Sequence, residues 1–330
     1  MKKIILVIGM LVFSQFGFCE LTQDTTHQLK LIKLTEDAIT DDSYKPIAGK
    51  EKLLAVKVVD KSGKGVFGAE VRFEIVSGDG ELVENSTTSI PTNSLVQQSL
   101  MSGDTLVIFR GKTEGTCTVR ASLLKELAIY KEFVFNIVAA PKNISINKMW
   151  KDWVNMPRKI KASREETEIK SNSPWSPSKR TIRTTRKGDR SKTEEMLPKK
   201  ITKFRSGEQK EYTHIPRDWD MVEYNKAENS AIFRFRSDRS SYIPCKYYTF
   251  DLSKGILLQE EHFITNGIIA TRIITKYNDY QKQEKYPGVW LWTEKEEIFM
   301  KNLSEVQYET KTKVNNREID IPIADKEIQE

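Results

Sequence analysis

The sequence is poor in the residues that build metal centres and disulfide scaffolds. Its 330 residues include only three Cys and three His, so we expect neither a cysteine-rich zinc site nor a disulfide-dense fold. Beyond residue 19, no apolar run approaches the roughly 20 residues that a helical membrane span requires. G-x-S-x-G, H-E-x-x-H, C-x-x-C and P-loop motifs are absent. We therefore predict a non-catalytic protein that uses no cofactor and no metal.

Aromatic and charged residues, by contrast, are plentiful. The 14 Phe, 11 Tyr and 6 Trp supply enough apolar area for folded domains. A charged fraction of 30% excludes a multi-span membrane protein. The net charge of +7 is unevenly distributed, because residues 151–210 hold 18 Lys or Arg against 8 Asp or Glu. The length is compatible with one to three domains.

The first 19 residues are typical of a secretory signal peptide. Two Lys precede a ten-residue apolar core, and the small residues Gly17 and Cys19 suit cleavage after Cys19. Lipidation of Cys19 is an alternative, disfavoured by the bulky Phe18 before it, and an uncleaved anchor is a second alternative. We predict an exported protein, periplasmic or at the cell surface, and export argues against a nucleic-acid partner. The two other cysteines, Cys117 and Cys245, fall in different predicted domains, and buried free thiols are favoured over a bridge between them.

A polar linker over residues 20–42 is predicted to lead into a β-sandwich over residues 43–141. Within it, apolar residues alternate with polar ones in three runs, which are VRFEIV from Val71, CTVRAS from Cys117 and EFVFNIV from Glu132. Phe73 is predicted to face the core between outward Arg72 and Glu74. Glycine-bearing turn signals separate the runs, and short strands at this spacing are typical of a sandwich.

This segment resembles the bacterial Ig-like (Big-1) family of invasins and intimins. The resemblance is carried by three groups of residues, which are Val56 to Val66 with its Asp60-Lys-Ser-Gly63 turn, Ala69 to Ile75 with Ser77-Gly-Asp-Gly80, and Gly103 to Phe109 with Glu114 to Ala121. The sequence departs from the family at 86–101. The resemblance implies a sandwich that acts as a spacer or adhesive module, with no catalytic residues.

A short helix and a basic stretch follow the sandwich. The pattern of residues 147–160 predicts a helix that presents Met149, Trp153 and Met156 on one face and ends near Pro157. The polar, Pro-containing run after it predicts a loop or an edge region. A cationic rim is predicted where Arg or Lys recur, and its candidate contacts for an anionic envelope polymer or headgroup are Arg180, Arg183, Arg186, Lys187 and Arg190. The alternative is a solvated edge that prevents strand pairing between molecules.

From residue 220 onward the β pattern returns as a meander. Alternating runs begin at Ala231, Lys246, Ile256, Val289 and Val306, and Asn266-Gly267 is a strong hairpin signal. Asp218 and Asp220 are expected in a solvated turn rather than at a cation site. His214 and His262 are not expected to act as acids or bases.

Residues of about 205–325 resemble the outer-membrane lipoprotein-sorting (LolA-like) family. The resemblance rests on Phe250-Asp251, Gly255, Ile273 to Tyr280, Tyr286 to Val289, Val314-Asn315 and Ile319. It implies a curved antiparallel sheet, an open half-barrel, with a concave apolar surface able to hold an acyl chain. The predicted fold class is mainly β, with the sandwich followed by this sheet over 142–330 and few helices.

The aromatic residues of the second domain are the candidate ligand-binding side chains. They are Trp219, Phe233, Phe235, Trp290 and Trp292. The alternative is that they form the core of the sheet. The leading functional hypothesis is an envelope protein that binds a lipid or a lipoprotein-related ligand, with the sandwich as spacer or interaction module. The competing hypothesis is a structural or adhesive surface protein that sequesters no ligand.

Overall fold

The computed structural model describes residues 29–33, 43–84, 90–187, 190–196, 201–205, 219–236, 245–265, 270–301, 305–323 and 327. The predicted signal peptide, His214, Asp218 and the Asn266-Gly267 turn lie outside these residues. No helix in the described ranges is both long and apolar enough to cross a membrane. The protein is mainly β, as the sequence predicts.

Two four-stranded antiparallel sheets form the first part of the chain. Their orders are β1-β3-β7-β5 and β6-β4-β8-β9. The strands are β1 (Lys30–Lys33), β3 (Glu51–Val59), β4 (Glu70–Ser77), β5 (Gly80–Val83), β6 (Ser94–Gln98), β7 (Asp104–Gly111), β8 (Gly115–Leu123) and β9 (Glu126–Ile137). Strand β1 lies inside the segment predicted as a linker. It belongs to the sandwich, because it pairs with β3 and buries Leu31.

The core of the sandwich follows the predicted alternation. Phe73 is fully buried, while Glu74 beside it is exposed. Phe109 stacks on Phe135 with ring centroids 4.9 Å apart. Cys117 is a buried free thiol within this core, in agreement with the predicted inward position.

The predicted turns have the conformations that their residues favour. Asp60 Oδ1 accepts hydrogen bonds from the backbone N–H groups of Ser62 and Lys64, at 2.9 and 3.0 Å. Gly63 follows in the left-handed region with φ of 84°, where a Cβ is unfavourable. Gly78 has φ of 83° as well. A local Asx turn with glycine therefore connects the strands at the position that the sequence indicates.

A twelve-stranded antiparallel sheet forms the second part. Its order is β13-β12-β11-β10-β20-β19-β18-β17-β16-β15-β14-β2. The strands are β2 (Lys45–Pro46), β10 (Ala162–Ser171), β11 (Lys179–Lys187), β12 (Arg190–Met196), β13 (Ile201–Arg205), β14 (Trp219–Asn225), β15 (Ser230–Arg236), β16 (Cys245–Asp251), β17 (Ile256–Thr265), β18 (Ala270–Lys282), β19 (Trp290–Met300) and β20 (Val306–Ile319). Two meanders, β10–β13 and β14–β20, are joined where β10 pairs with β20.

One α-helix in the described ranges covers part of this sheet. Helix α1 (Ile146–Asn155) begins at Ser145, whose side chain accepts a hydrogen bond from the Lys148 N–H group, and it continues into a 3₁₀ turn (Met156–Lys159) that contains Pro157. This agrees closely with the predicted helix. Trp150 is its buried residue and meets Tyr248 edge-on at 5.0 Å. The helix thereby seals the apolar face of β15, β16 and β17.

The polar, Pro-containing run predicted as a loop or an edge is the connection between β10 and β11 at residues 172–178, whereas the basic stretch after it is a regular part of the large sheet. Strands β11 and β12 contain no buried residue, and their side chains are half-buried or exposed. Cross-strand ion pairs replace a core, as in Arg183 with Glu166 and Arg180 with Glu195. Without apolar alternation, hydrophobic periodicity cannot indicate such strands.

The sandwich packs directly against the large sheet. Phe263 of β17, 1% exposed, lies among Leu53, Ala55, Leu106 and Ile108, which project from the outer face of β3 and β7. Strand β3 is consequently buried on both faces. A continuous apolar strand is the expected composition for that environment.

Ion pairs and backbone hydrogen bonds hold the same interface. Lys52 Nζ lies 2.7 Å from Glu223 Oε2, and these two side chains are only 3% and 5% exposed. Glu51 bridges Arg110 of the sandwich and Arg234 of the sheet. The backbone at residues 46–47 also connects the two parts. The Pro46 carbonyl accepts a hydrogen bond from the Val138 N–H group, which follows β9 of the sandwich, and the Ile47 N–H group donates to the Val222 carbonyl in β14 of the large sheet.

Candidate functional site

A groove of about 490 Å³ lies between the helix and the polar part of the large sheet. One side is formed by the end of α1 and the 3₁₀ turn, and the other by β10, β11 and β20. Strands β18 and β19 form its floor. A volume in this range is typical of small-molecule sites.

The apolar part of the groove is an aromatic wall, defined as Trp153, Tyr277, Tyr280, Trp290 and Trp292. Tyr277 contacts two of the other rings. Trp153 and Tyr277 meet edge-on with centroids 5.9 Å apart, and Tyr277 and Trp292 lie 6.2 Å apart. Edge-on and tilted contacts at these distances are favourable for aromatic pairs. The wall therefore presents several ring faces and edges in a defined arrangement.

A local distortion of β18 brings both tyrosines to the groove. Residues three apart on an ideal strand point to opposite faces. Between Tyr277 and Tyr280, however, Asp279 adopts a left-handed φ of 50°. The Asp279 carbonyl accepts a 2.7 Å hydrogen bond from Thr293 Oγ1, which ties the distorted residue to β19.

Both tyrosines are held in the neutral form. Burial raises the pKa of Tyr277, and the nearby negative charge of Glu260 raises it further. Burial also raises the pKa of Tyr280, although a hydrogen bond with Trp153 partly offsets this. The Tyr280 hydroxyl donates to the Leu257 carbonyl. A phenol that binds its proton so tightly is a poor general base.

The polar part of the groove is a row of side chains on three neighbouring strands. Arg317 of β20 is paired with Glu165 of β10, which is paired in turn with Thr184 of β11. One step along the same face, the paired residues are Ile319, Ser163 and Arg186. All six line the groove together with Lys295. Three cations and one carboxylate therefore give this row a net positive charge.

The predicted ligand-binding aromatics divide between the groove and the core. Trp290 and Trp292 line the groove. Phe233 is 1% exposed and packs under α1 with Phe250, and Phe235 packs against the same cluster. For Phe233 and Phe235 the structure thus shows the core placement that was the alternative. Trp219 begins β14, and its side chain lies outside the described residues.

The predicted basic contacts are split by the strand that carries them. Arg186 lines the groove, and its Nη1 lies 3.5 Å from the Pro157 carbonyl. Arg180 pairs with Glu195 and Arg183 with Glu166, while Lys187 Nζ donates to the Ile323 carbonyl at 2.9 Å. Arg190 is exposed. These residues do not form one continuous patch, because alternate strand positions face opposite sides of the sheet.

The other titratable candidates are engaged in ion pairs. Asp220 lies in β14, where Lys50 Nζ is 2.6 Å from its Oδ1, and not in a solvated turn. His262 Nε2 is 2.6 Å from Glu260 Oε1. Burial raises the pKa of Glu260, but His262, Lys246 and Tyr248 together outweigh this and hold that pKa below its usual value. Within the described ranges, no group of three or more His, Cys, Asp or Glu is arranged to hold a metal ion.

Several groove residues were not identified from the sequence as ligand contacts. They are Trp153, Tyr277, Tyr280, Glu165, Lys295 and Arg317. The sequence predicts Trp153 only as one residue of an apolar helix face. Tyr277 is predicted as the end of a strand and, like Tyr280, as part of a family resemblance. Glu165 and Arg317 become neighbours through the pairing of β10 with β20, for which no local sequence signal exists.

Neither a protein-family model nor a curated protein matches this chain. Among solved structures, the chain is similar to the crystal structure of invasin, described as a bacterial integrin-binding protein. The identity is 11%, the TM-score is 0.24, and the match covers 90% of this chain. The chain spans 58% of the length of that structure. A TM-score of this size does not establish a common fold.

Proposed function

We propose that this protein is an exported, non-catalytic binding protein of the bacterial envelope, and that its groove holds an amphipathic ligand of the lipid or lipoprotein-related class. The observation that carries the proposal is the groove itself. It has a volume of about 490 Å³, with the aromatic wall on one side and the charged row on the other. Such a surface suits a molecule with one apolar and one polar part. The sandwich serves as the spacer or interaction module.

The chemistry of the groove supports binding rather than catalysis. Its two tyrosines are neutral phenols with raised pKa values. Glu165 is engaged by Arg317, whose Nε donates to Glu165 Oε2 at 2.7 Å. No nucleophile with an adjacent base accompanies them among the described groove residues. Export is supported by the sequence of residues 1–19 alone.

Binding can be tested with one pair of tryptophan variants. The mature chain is purified from its native envelope, extracted for lipid mass spectrometry, and titrated with a fluorescent fatty acid. Trp292→Ala removes part of the aromatic wall and is expected to weaken binding about tenfold, the equivalent of about 1.4 kcal/mol. Trp175→Ala is the matched control, because Trp175 is 90% exposed and lies outside the groove. Saturable binding that is equally sensitive to both changes would contradict the proposal.

Export can be tested on the same material. Intact-mass measurement is expected to give a chain that begins at Glu20 and carries no lipid. A mature chain that starts at a diacylated Cys19 would favour surface anchoring instead.

A second candidate function is that of a structural or adhesive surface protein. The buried Lys52–Glu223 pair and the shared backbone at 46–47 favour it, because they hold the sandwich and the sheet in one orientation. A protein that presents surfaces at a distance benefits from such a fixed connection. Absence of co-purified lipid and of saturable fatty-acid binding would make this second function the better one.

A further inference from the structure

The charged row of the groove contains an arginine with unused hydrogen-bonding capacity. The Arg317 side chain is 11% exposed, and its Nε is bonded to Glu165. Its Nη1 is buried and has no acceptor among the described residues. A buried donor of a charged group is unfavourable without a partner. Because Arg317 also lines the groove, a small turn of its guanidinium would bring this donor to an anionic oxygen bound there.

A second arginine lies on the same face, two strands away. Strand β10 separates Arg317 from Arg186, and neighbouring strands are about 4.8 Å apart. The side chains of arginine are long enough to span such a separation from both sides. Glu165 and Ser163 of β10 lie between them, and Thr184 lies on β11 two residues from Arg186. The hydroxyl groups of Ser163 and Thr184 can also donate hydrogen bonds.

We infer that Arg317 and Arg186 form an oxyanion subsite, which takes the carboxylate or phosphate group of the ligand while the aromatic wall takes its apolar part. The inference rests on the proposed function and adds the charge of the ligand and the place where that charge is bound. Glu165 accepts the hydrogen bond of Arg317 Nε, and its negative charge repels a bound anion. It therefore limits the affinity of the subsite.

Three probes of equal chain length separate the contributions of charge and apolar area. Dodecanoate, dodecyl phosphate and dodecanol are titrated into the full mature chain, by competition with a fluorescent fatty acid. We expect the better anionic probe to bind at least tenfold more tightly than dodecanol at low salt, and this advantage to shrink in 0.5 M NaCl. The preferred anion identifies the ligand as a carboxylate or a phosphate.

Substitutions then assign the subsite to its residues. Arg317→Gln and Arg186→Gln are each expected to weaken anion binding about tenfold and to leave dodecanol binding unchanged. Glu165→Gln is expected to strengthen anion binding several-fold, an effect that loss of structure cannot produce. Lys311→Gln is the matched control, because Lys311 is a cation of the same strand that pairs with Glu296 outside the groove.

The outcomes distinguish the subsite from the groove. Equal affinity for dodecanol and both anions overturns the subsite and leaves the proposed function standing. Weaker anion binding in Glu165→Gln overturns the subsite as well, even if Arg317→Gln fails to fold. Absence of binding by all three probes overturns the subsite together with the proposed function.

Discussion

Strands β4 and β11 have nearly the same length, with eight and nine residues, and differ in almost everything else. In β4, Val71 and Phe73 are fully buried and alternate with outward residues. In β11 no residue is buried, and its charges pair across the sheet. One strand is stabilised by a core on one face and the other by its neighbours within the sheet. A β-strand therefore need not carry a hydrophobic face when the strands beside it supply complementary charges and a continuous ladder.

The largest effect is expected in the core of the sandwich. Phe73→Ala should lower the free energy of unfolding by about 3–5 kcal/mol, because it leaves a cavity in a fully buried site. Glu74→Ala, at the exposed neighbouring position, should change it by only about 0.5 kcal/mol. Chemical denaturation measures both. The full chain is the right material, since the sandwich alone would expose the apolar patch that covers Phe263. Equal effects would mean that the assigned faces of β4 are wrong.

A comparable loss is expected at the interface between the sandwich and the large sheet. Glu223→Leu leaves the Lys52 ammonium buried without its carboxylate, which should cost about 3 kcal/mol. Asp220→Asn breaks the neighbouring pair with Lys50, where the two side chains are 46% and 38% exposed, and should cost less than about 1 kcal/mol. Thermal unfolding followed by circular dichroism compares the two. Similar losses of stability would show that burial does not determine how strongly each ion pair stabilises the fold.

The interface should also weaken in acid. Burial alone would raise the pKa of Glu51, but Arg234 and Arg110 outweigh it and hold that pKa below its usual 4.5. A carboxylate with a lowered folded-state pKa stabilises the folded state above 4.5, and this contribution is lost as the pH falls below 4.5. Denaturation at pH 7 and pH 3.5 should therefore show a smaller acid loss for Glu51→Gln than for the unmodified chain. Glu284→Gln, at an exposed position, should lose as much stability between pH 7 and pH 3.5 as the unmodified chain.

The smallest effect is expected in the ion-paired part of the sheet. Glu166 and Arg183 lie opposite each other on β10 and β11, with side chains 33% and 53% exposed. A double-mutant cycle with Glu166→Gln and Arg183→Gln should give a coupling of about 0.5 kcal/mol, and 1 M NaCl should remove most of it. A coupling above about 2 kcal/mol would show that single pairs, and not the summed ladder, hold these strands.

The same contrast explains which elements could be predicted from the sequence. The strands around Val71, Cys117 and Phe133 were found because each buries one face, and α1 was found from its apolar stripe and Pro157. The strands β10 to β13 were not predicted, and in β10, β11 and β12 the reason is that polar and charged residues occupy most positions. Hydrophobic periodicity reports burial, and no residue of β11 or β12 is buried.

The candidate site was only partly predictable for a related reason. Trp290 and Trp292 were predicted as ligand contacts largely through the resemblance to the lipoprotein-sorting family, and both line the groove. The partners that give the groove its charge are brought in by the pairing of β10 with β20, which includes a shift in register at Glu166/Thr167. Such a shift depends on strands far apart in the chain. The distorted position of Asp279, which admits both tyrosines, is likewise set by tertiary contacts.

The pairing of β10 with β20 also has a consequence for the order in which the protein folds. Nine strands of the described chain separate these two neighbours, so their pairing closes a very long loop and is slow compared with the formation of local hairpins. The sandwich and both meanders can form before β10 and β20 pair. Arg317 and Ile319 of β20 meet Glu165 and Ser163 of β10 only through this pairing, so the groove is completed when the two meanders join. Ligand binding during refolding would therefore report the last step of folding, later than any change in secondary structure.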